Sequence, residues 1–256
     1  MEIELEKGER LDKTGFGSLS LIQKPEDFCY GVDAVILAHF AAVRGEHEKT
    51  ARTRGKRSMD LGTGTGIIPL ILSHKTDIEK IYGIEVQNDS YHRAMRNVQI
   101  NNLENRLEMI HGDVSAIESA VGKERFATFD MVTANPPYSV NEGAIKNENS
   151  AKMIARHETS GLLKDFISAA ATLLMPGGDF YMIHRPSRLV DVCVLCREYN
   201  LEPKGIRFVS PSEGEKPNIF LIHSVKNGNP ELKFMKNLNI HEGNGYSKEL
   251  LTIYEK

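Results

Sequence analysis

The sequence has no tryptophan and only three cysteines, at positions 29, 193 and 196. An odd number of cysteines with one close pair argues against a disulfide framework and is typical of a reducing cytoplasm. Long hydrophobic runs are also absent, because polar residues or proline interrupt every apolar stretch. The N-terminus alternates charged and apolar residues and lacks the apolar region of a signal peptide. We therefore expect a soluble, cytoplasmic protein without a membrane span.

An excess of charge of either sign is missing as well. The 32 lysines and arginines nearly balance the 35 aspartates and glutamates, which leaves a formal net charge of −3. Overall charge therefore does not attract nucleic acid, and binding of RNA would need a local basic patch. Residues 49–57 carry five basic side chains without an apolar pattern. Two interpretations of this segment stay open: a solvated loop, or a patch that contacts phosphate.

The order of the predicted elements indicates an α/β protein. From residue 57 onward, short β-rich runs alternate with helical periodicity, which predicts a parallel sheet covered by helices on both faces. The last two runs, 205–210 and 218–226, are joined by too few residues for a parallel crossover, so they must pair antiparallel. We divide the chain into an N-terminal extension, 1–50, with short strands and a helix, and a main domain, 51–256.

Local signals predict where several helices begin and end. Asp33 is expected to cap the helix of the N-terminal extension, and Asn88 or Asp89 the helix after the second core strand. The Pro-Gly-Gly segment 176–178 is expected to end the helix that begins near residue 160. Pro186 suits the first position of the last helix that these signals predict.

A glycine-rich turn follows the first core strand. It contains Asp60, Gly62, Thr63, Gly64 and Gly66, and the glycines let the backbone turn tightly and approach a ligand. Their spacing fits neither the G-x-G-x-x-G dinucleotide pattern nor a phosphate loop ending in Gly-Lys-Ser/Thr. The carboxylate of Asp60 repels polyphosphate but can pair with the ammonium group of a cationic ligand.

Two further acids end the next two strands. Glu85 closes the second core strand, where an acid can accept hydrogen bonds from both ribose hydroxyls of a nucleoside. Asp113 closes the third core strand. Because ligands of open α/β sheets bind outside the carboxyl ends of the strands, we expect Asp60, Glu85 and Asp113 at one edge of the sheet.

The sequence Asn135-Pro136-Pro137-Tyr138 closes the fourth core strand. The prolines fix φ and remove two donors, which leaves a rigid turn with outward carbonyl acceptors. The side-chain oxygen of Asn135 and the carbonyl of Pro136 can accept both hydrogens of an exocyclic amine and so favour an sp³-like nitrogen aimed at a methyl donor. Tyr138 can stack on a base drawn out of its strand. This chemistry depends on positioning and requires no metal.

Taken together, D-x-G-x-G-x-G, the two acids and N-P-P-Y resemble the class I S-adenosylmethionine-dependent methyltransferases that modify adenine N6, guanine N2 or protein glutamine. The resemblance implies a Rossmann-like α/β fold with a mostly parallel seven-stranded sheet, an antiparallel C-terminal hairpin and S-adenosylmethionine as cofactor. It implies that Asp113 meets the adenine amino group of the cofactor. The implied cofactor-binding residues are Asp60, Gly62, Thr63, Gly64, Gly66, Glu85, Asp113 and Asn135, and the implied catalytic residues are Asn135, Pro136 and Tyr138.

The flanking segments 19–23, 30–38 and 245–250 are similar to the bacterial tRNA1(Val) adenine-N6 methyltransferase family. That resemblance implies a tRNA partner and, as target, the adenine 3′ of the anticodon, a loop base that costs little to extract. A ribosomal RNA or DNA amino-methyltransferase and a protein glutamine methyltransferase stay open as alternatives. Enzymes that methylate glutamine in release factors carry a longer N-terminal domain than the segment before Asp60 accommodates. The presence of Asn135 argues against a catalytically silent binding module.

Other features have simpler interpretations. Cys193 and Cys196 have zinc-like spacing, but they lack a second pair and fall on the apolar face of a helix, so we expect them to pack in the core. Arg156, Arg185 and Arg188 follow the catalytic strand or the next one, where they can reach phosphate or form surface ion pairs.

Overall fold

A computed structural model describes residues 4–26, 31–43, 56–138 and 162–256, and shows a central sheet with helices on both faces. The strands are β1 (Arg10–Lys13), β2 (Ser20–Gln23), β3 (Arg57–Leu61), β4 (Lys80–Glu85), β5 (Leu107–His111), β6 (Phe129–Ala134), β7 (Leu174–His184), β8 (Leu201–Ser212), β9 (Ile219–Lys226), β10 (Lys233–Phe234), β11 (Leu238–Glu242) and β12 (Gly245–Tyr246). The helices are α1 (Val32–Ala42), α2 (Ile67–Lys75), α3 (Asn88–Ile100), α4 (Ile117–Val121), α5 (162–173), α6 (Leu189–Glu198) and α7 (Lys248–Ile253).

Seven strands form the centre of the sheet in the order β5-β4-β3-β6-β7-β9-β8. The first five of these are parallel, and β9 is antiparallel to both β7 and β8. The predicted parallel sheet with a C-terminal antiparallel hairpin is therefore confirmed. The chain leaves β3 toward β4 on one side and later returns to place β6 on the other side. This reversal opens a crevice at the carboxyl ends of β3 and β6, where ligands bind in such sheets.

Three short strands extend the sheet beyond the predicted seven. Strand β11 pairs parallel with β8, β12 pairs antiparallel with β11, and β10 also pairs with β8. Two of these strands have only two residues, too few to show an alternating pattern in the sequence. The last residues of the chain thus complete one side of the fold.

The two faces of the central strands carry separate hydrophobic clusters. Met131 and Tyr181 face the cluster that contains α1, α2 and α7, whereas their neighbours Val132 and Met182 face the cluster that contains α5 and α6. Successive side chains of a strand point to opposite faces, so strands covered on both sides are apolar at most positions. This explains why the core strands lack the polar alternation of a half-exposed sheet.

Two predicted helix caps are wrong. Gly31 is the residue before α1 and makes no side-chain cap, while Asp33 lies within the first helical turn and bonds elsewhere. Gln87, rather than Asn88 or Asp89, precedes α3. The backbone N–H of Gln87 donates to the carboxylate of Glu85 at 2.8 Å, so an acid from the preceding strand satisfies a donor at this end of the helix.

The Pro-Gly-Gly segment 176–178 lies inside β7 rather than between a helix and a strand, which corrects a further prediction. The helix ends at residue 173 and the strand begins at once. The β6–β7 pairing shifts register between Phe129 and Met131, and this bulge accommodates the extra residues. Proline is tolerated in a strand at such an irregularity because it has no N–H for the ladder.

A hairpin of β1 and β2 is bonded to α3 by two asparagines, the fully buried Asn97 and the half-buried Asn101, which bonds both backbone groups of Ser20. The Oδ1 of Asn97 accepts from the backbone N–H of Ile22 at 2.6 Å, and its Nδ2 donates to the carbonyls of Ile22 and Thr65 at 3.2 and 3.0 Å. Thr65 belongs to the glycine-rich turn. Asn97 therefore joins the hairpin, the helix and that turn. The division of the chain after residue 50 stays a prediction.

In the described parts of the chain, no helix has both the length and the apolar character needed to span a bilayer.

Asn97→Ala is expected to lower the free energy of unfolding by about 3 kcal/mol or more, because three buried backbone groups lose their partners. Urea unfolding measures the loss. Gln99→Ala, an exposed position of the same helix, is the control and should change stability by at most about 0.5 kcal/mol. Equal effects of the two variants would contradict the role given to Asn97.

Candidate active site

The glycine-rich turn joins β3 to α2 at the crevice. Gly62, Gly64 and Gly66 have φ values of 67°, 56° and 84°. Residues with a side chain rarely adopt this backbone conformation. A Cβ at Gly62 would lie 3.1 Å from the ring of Phe166 on α5, whereas no atom lies within 4 Å of such a position at Gly64. The turn is therefore backed by an aromatic ring and keeps its backbone accessible at Gly64.

Asp60 is buried at the end of β3, with a polar neighbour on β6. Its Oδ1 accepts from the Thr133 hydroxyl at 2.6 Å, and the two residues are paired in the register of β3 and β6. Its Oδ2 is buried without a hydrogen-bond partner in the described structure. Burial, together with the charge of Glu85, raises the pKa of Asp60 to about 7 against the opposing interactions with the hydroxyls of Thr133 and Thr63. The carboxylate is thus equipped to receive a donor from a ligand.

Glu85 holds the glycine-rich turn to the start of α3. Its Oε2 accepts from the N–H of Gly64 and its Oε1 from the N–H of Gln87, both at 2.8 Å. A carboxylate can accept about four hydrogen bonds, so acceptor positions remain for the hydroxyls of a ribose. The two backbone bonds also fix the direction of the carboxylate before a ligand arrives.

Asp113 follows β5 and is exposed. Its Oδ1 accepts from the N–H of Ser115 at 2.8 Å and caps a short 3₁₀ turn. Asp165 of α5 lies close by, and its pKa is raised by burial and by the charge of Asp113. Asp60, Glu85 and Asp113 therefore end three neighbouring strands at the carboxyl edge of the sheet, and their ligand roles stay predictions.

The Asn135–Tyr138 turn lies next to the glycine-rich turn. Ala134 pairs with Leu61, so Asn135 and Gly62 leave neighbouring strands side by side. Pro136 is buried, and Asn135 and Tyr138 are half-buried. The pairing of β3 with β6 therefore brings the predicted cofactor-binding turn and the predicted catalytic turn to the same crevice.

Tyr138 is contacted by four residues. Its hydroxyl donates to Oδ2 of Asp33 at 2.7 Å and lies 3.3 Å from Oδ1 of Asn135. Its ring contacts the ring of His184 edge-on, with centroids 5.4 Å apart, and the guanidinium of Arg185 lies 4.6 Å from its centroid. Burial and the charge of Asp33 raise the pKa of Tyr138, so the hydroxyl keeps its proton at neutral pH.

Sequence reasoning missed Thr133 and His184. It named Asp33 only as a helix cap and Arg185 only as a residue that can reach phosphate or form an ion pair, so it missed their contacts with Tyr138. Thr133 could have been found by aligning β6 with β3, since it lies opposite Asp60. His184 ends β7, the strand next to β6, and Arg185 follows it. The expectation that ligands bind at the carboxyl ends of the strands, applied to β7 as well, would have included both residues. Asp33 gave the signal of a helix cap, which is wrong, and nothing in the sequence indicated its contact with Tyr138.

The remaining predicted basic residues form other contacts or lie outside the described residues. Arg188 forms an ion pair with Asp191 at 2.9 Å. Arg156 and the basic residues 49–55 lie outside the described residues. Lys56 and Arg57 stand at the amino end of β3, opposite the crevice, where their backbone N–H groups donate to Asp130.

The cysteine pair of α6 packs as predicted. Cys196 is fully buried and Cys193 half-buried, both beside the cluster of α5 and α6. Burial raises the pKa of Cys196 to about 12, so its thiol stays protonated and unreactive.

The strand order, the glycine-rich turn at the crevice and the acid after the second core strand define a class I methyltransferase. The chain belongs to the methyltransferase small domain family, whose model matches residues 46–191. It is an S-adenosylmethionine-dependent methyltransferase. Asp60, with its unpartnered buried oxygen, and the open backbone at Gly64 fit the cofactor.

Several known proteins resemble this chain. A curated protein of Porphyromonas gingivalis named tRNA1(Val) (adenine(37)-N6)-methyltransferase is 27% identical over 230 residues, which is 88% of this chain and 86% of the relative. A protein of the same name from Aeromonas hydrophila is 25% identical over 194 residues, 75% of this chain and 74% of the relative. The structure of a predicted O-methyltransferase from Agrobacterium tumefaciens is 20% identical, with a TM-score of 0.67, and covers 87% of this chain and 95% of its own. That structural likeness shows the fold.

Asp60→Asn is expected to stabilise the ligand-free protein more at pH 8 than at pH 5. Asp60 loses its proton near its ordinary value of 3.8 when unfolded, but only near 7 when folded. Between these values the folded state binds more protons, so wild-type stability falls as pH rises through this window. Asparagine removes that cost.

Urea unfolding at both pH values measures this effect. Glu104→Gln, on an exposed turn, is the control and should stay within about 0.5 kcal/mol of wild type at both. A pH-independent difference between Asp60→Asn and wild type would show that Asp60 is not buried as a costly carboxylate.

Proposed function

We propose that the enzyme methylates the N6 amine of an adenine in tRNA, at the position 3′ of the anticodon, and that it does so in the cytoplasm. The observation that carries the proposal is the position of the Asn135–Tyr138 turn beside the glycine-rich turn, one strand apart. It is supported by relatives that are named tRNA1(Val) (adenine(37)-N6)-methyltransferase and match most of the chain.

The proposed cofactor site follows the crevice from β3 to β5. The buried oxygen of Asp60 receives the ammonium group, and the accessible backbone at Gly64 lets the ligand approach closely. Glu85 accepts from the ribose hydroxyls with the lone pairs that Gly64 and Gln87 leave free. Asp113 receives the adenine amino group. Bound S-adenosylmethionine supplies a methyl group on a positively charged sulfur. The full set of proposed cofactor-binding residues is Asp60, Gly62, Thr63, Gly64, Gly66, Glu85, Asp113 and Asn135.

The proposed catalytic residues act on the acceptor amine. The nitrogen of adenine N6 is a poor nucleophile because its lone pair is delocalised into the ring. Asn135 Oδ1 and the Pro136 carbonyl accept hydrogen bonds from its two N–H groups. These bonds draw the lone pair of the nitrogen out of conjugation with the ring. The ring of Tyr138, with Arg185 over it, provides a stacking surface beside these acceptors. Orientation of this kind contributes up to ~7–11 kcal/mol in well-placed reactants.

No residue is assigned to a metal in this proposal. Within the described segments, no group of three or more histidine, cysteine, aspartate or glutamate side chains is arranged to hold one. The acceptor geometry would serve another exocyclic amine or an amide nitrogen equally well, so the substrate must be tested directly.

Asn135→Ala is expected to abolish transfer while cofactor affinity changes by less than about tenfold, because the side chain acts mainly on the acceptor amine. Single-turnover assays measure transfer, and calorimetric titration with S-adenosylmethionine measures affinity. Asn105→Ala, on an exposed turn at the opposite edge of the sheet, is the control. Normal turnover by Asn135→Ala would remove Asn135 from the catalytic residues.

The protein is expected to label tRNA when incubated with labelled S-adenosylmethionine and, separately, bulk tRNA, duplex DNA, ribosomal RNA and a release factor. A loop adenine costs little to extract, whereas a duplex adenine must first be unpaired. Nucleoside digestion and mass spectrometry should show N6-methyladenosine. Full-length tRNA is the appropriate substrate, because the weakly charged protein must depend on shape and stacking as well as phosphate.

A tRNA1(Val) transcript with guanine in place of the adenine 3′ of the anticodon is the matched control and should stay unlabelled. Label in the release factor would move the acceptor to glutamine. Label only in ribosomal RNA or DNA would overturn the tRNA assignment while leaving an amino-methyltransferase.

A further inference from the structure

We infer that Asp33 is a positioning residue that sets the direction of the Asn135 carboxamide through the hydroxyl of Tyr138. This inference rests on the proposed function, since it concerns the side chain that accepts from the substrate amine. Asp33 belongs to the N-terminal extension and is separated from Tyr138 by 105 positions in the chain. Its hydrogen bond goes to Tyr138 and not to the glycine-rich turn, and in the proposed reaction it does not touch the reacting atoms.

The Tyr138 hydroxyl has one proton and two neighbours that can take it. Oδ2 of Asp33 lies 2.7 Å away, and the carboxamide of Asn135 lies 3.3 Å away with Oδ1 toward the hydroxyl. The proton goes to Asp33, because a carboxylate at short distance forms the stronger, charge-assisted hydrogen bond. The oxygen of Tyr138 then presents only lone pairs to Asn135.

Two oxygens without a proton between them repel each other. The carboxamide of Asn135 is therefore more stable when it is rotated so that its nitrogen faces Tyr138. The oxygen and nitrogen of an amide are nearly equal in shape, and a half-turn about the last side-chain bond exchanges them. With Nδ2 toward Tyr138, Asn135 donates to the phenolic oxygen. Its Oδ1 then points away from Tyr138 and is free to accept a hydrogen of the substrate amine.

The surroundings of Tyr138 and Asp33 keep this arrangement fixed. The Tyr138 ring is held by His184 at its edge and Arg185 over its face. Asp33 is held by the first turn of α1, whose following residues are fully or nearly fully buried. A carboxylate is also favoured at this end of a helix by the helix dipole. Asp33 is not the helix cap, so its carboxylate is available for Tyr138.

Four variants give an order of turnover rates that separates this role from simple support of the fold. Asp33→Ala frees the Tyr138 proton for Asn135 Oδ1, which locks the amide in the wrong direction and should lower kcat roughly 10–100-fold with KM for tRNA nearly unchanged. Asp33→Asn keeps an acceptor for Tyr138 and should stay within about fivefold of wild type. Tyr138→Phe keeps the ring but removes the hydroxyl, which leaves the amide undirected and gives an intermediate kcat.

The decisive variant is the double substitution Asp33→Ala with Tyr138→Phe. Removing the hydroxyl also removes the misdirecting donor, so the double variant should turn over faster than Asp33→Ala alone and match Tyr138→Phe. Glu104→Ala, which removes an acidic side chain on an exposed turn, should leave kcat unchanged. A double variant as slow as, or slower than, Asp33→Ala would overturn the inference.

A second measurement needs no acceptor. In the NMR spectrum of the wild type, the side-chain N–H₂ protons of Asn135 should show NOEs to the ring protons of Tyr138 next to the hydroxyl. These NOEs should weaken in Asp33→Ala and persist in Asp33→Asn. Their absence in the wild type would overturn the inference even if tRNA is methylated. A wild type that gives the NOEs but does not methylate tRNA would overturn only the proposed substrate.

Discussion

The parallel pairing of β3 with β4 on one side and with β6 on the other is the constraint on which the site depends. It makes the chains that leave β3 and β6 diverge from neighbouring points, so the glycine-rich turn and the Asn135–Tyr138 turn meet across a crevice. The same pairing puts Asp60 opposite Thr133 and brings Glu85 within reach of Gly64. The contacts that join the ends of β3, β4 and β6 therefore follow from strand pairing before any ligand is considered.

Much of this architecture could be predicted from the sequence because it depends on local sequence patterns. The glycine spacing after Asp60, the acids that end the strands and the N-P-P-Y turn all sit at strand ends, and one rule places strand ends at one edge. Helix caps were predicted less well. A first-turn acid normally serves its own helix, but Asp33 bonds to Tyr138, and the carboxylate of Glu85 serves the start of α3. Contacts across such sequence distances leave no periodic signal.

The buried Asp60 shows how the site accepts a loss of stability in return for a binding function. A carboxylate with an unpartnered oxygen in the interior disfavours the folded state at neutral pH, and its raised pKa expresses that cost. An apolar or amide residue in place of Asp60 would make the ligand-free protein more stable. Active sites are common places for such residues, because the group that destabilises the empty protein is the one that recognises the ligand.

Asn97 has a consequence for how the molecule opens. Its carboxamide bonds at once to β2 and to the glycine-rich turn, so neither segment can leave α3 without breaking hydrogen bonds that hold the other. The two segments then form one cooperative unit of local unfolding rather than two independent ones. A ligand that binds the turn would therefore also suppress fraying of the N-terminal hairpin, which has no part in the crevice itself.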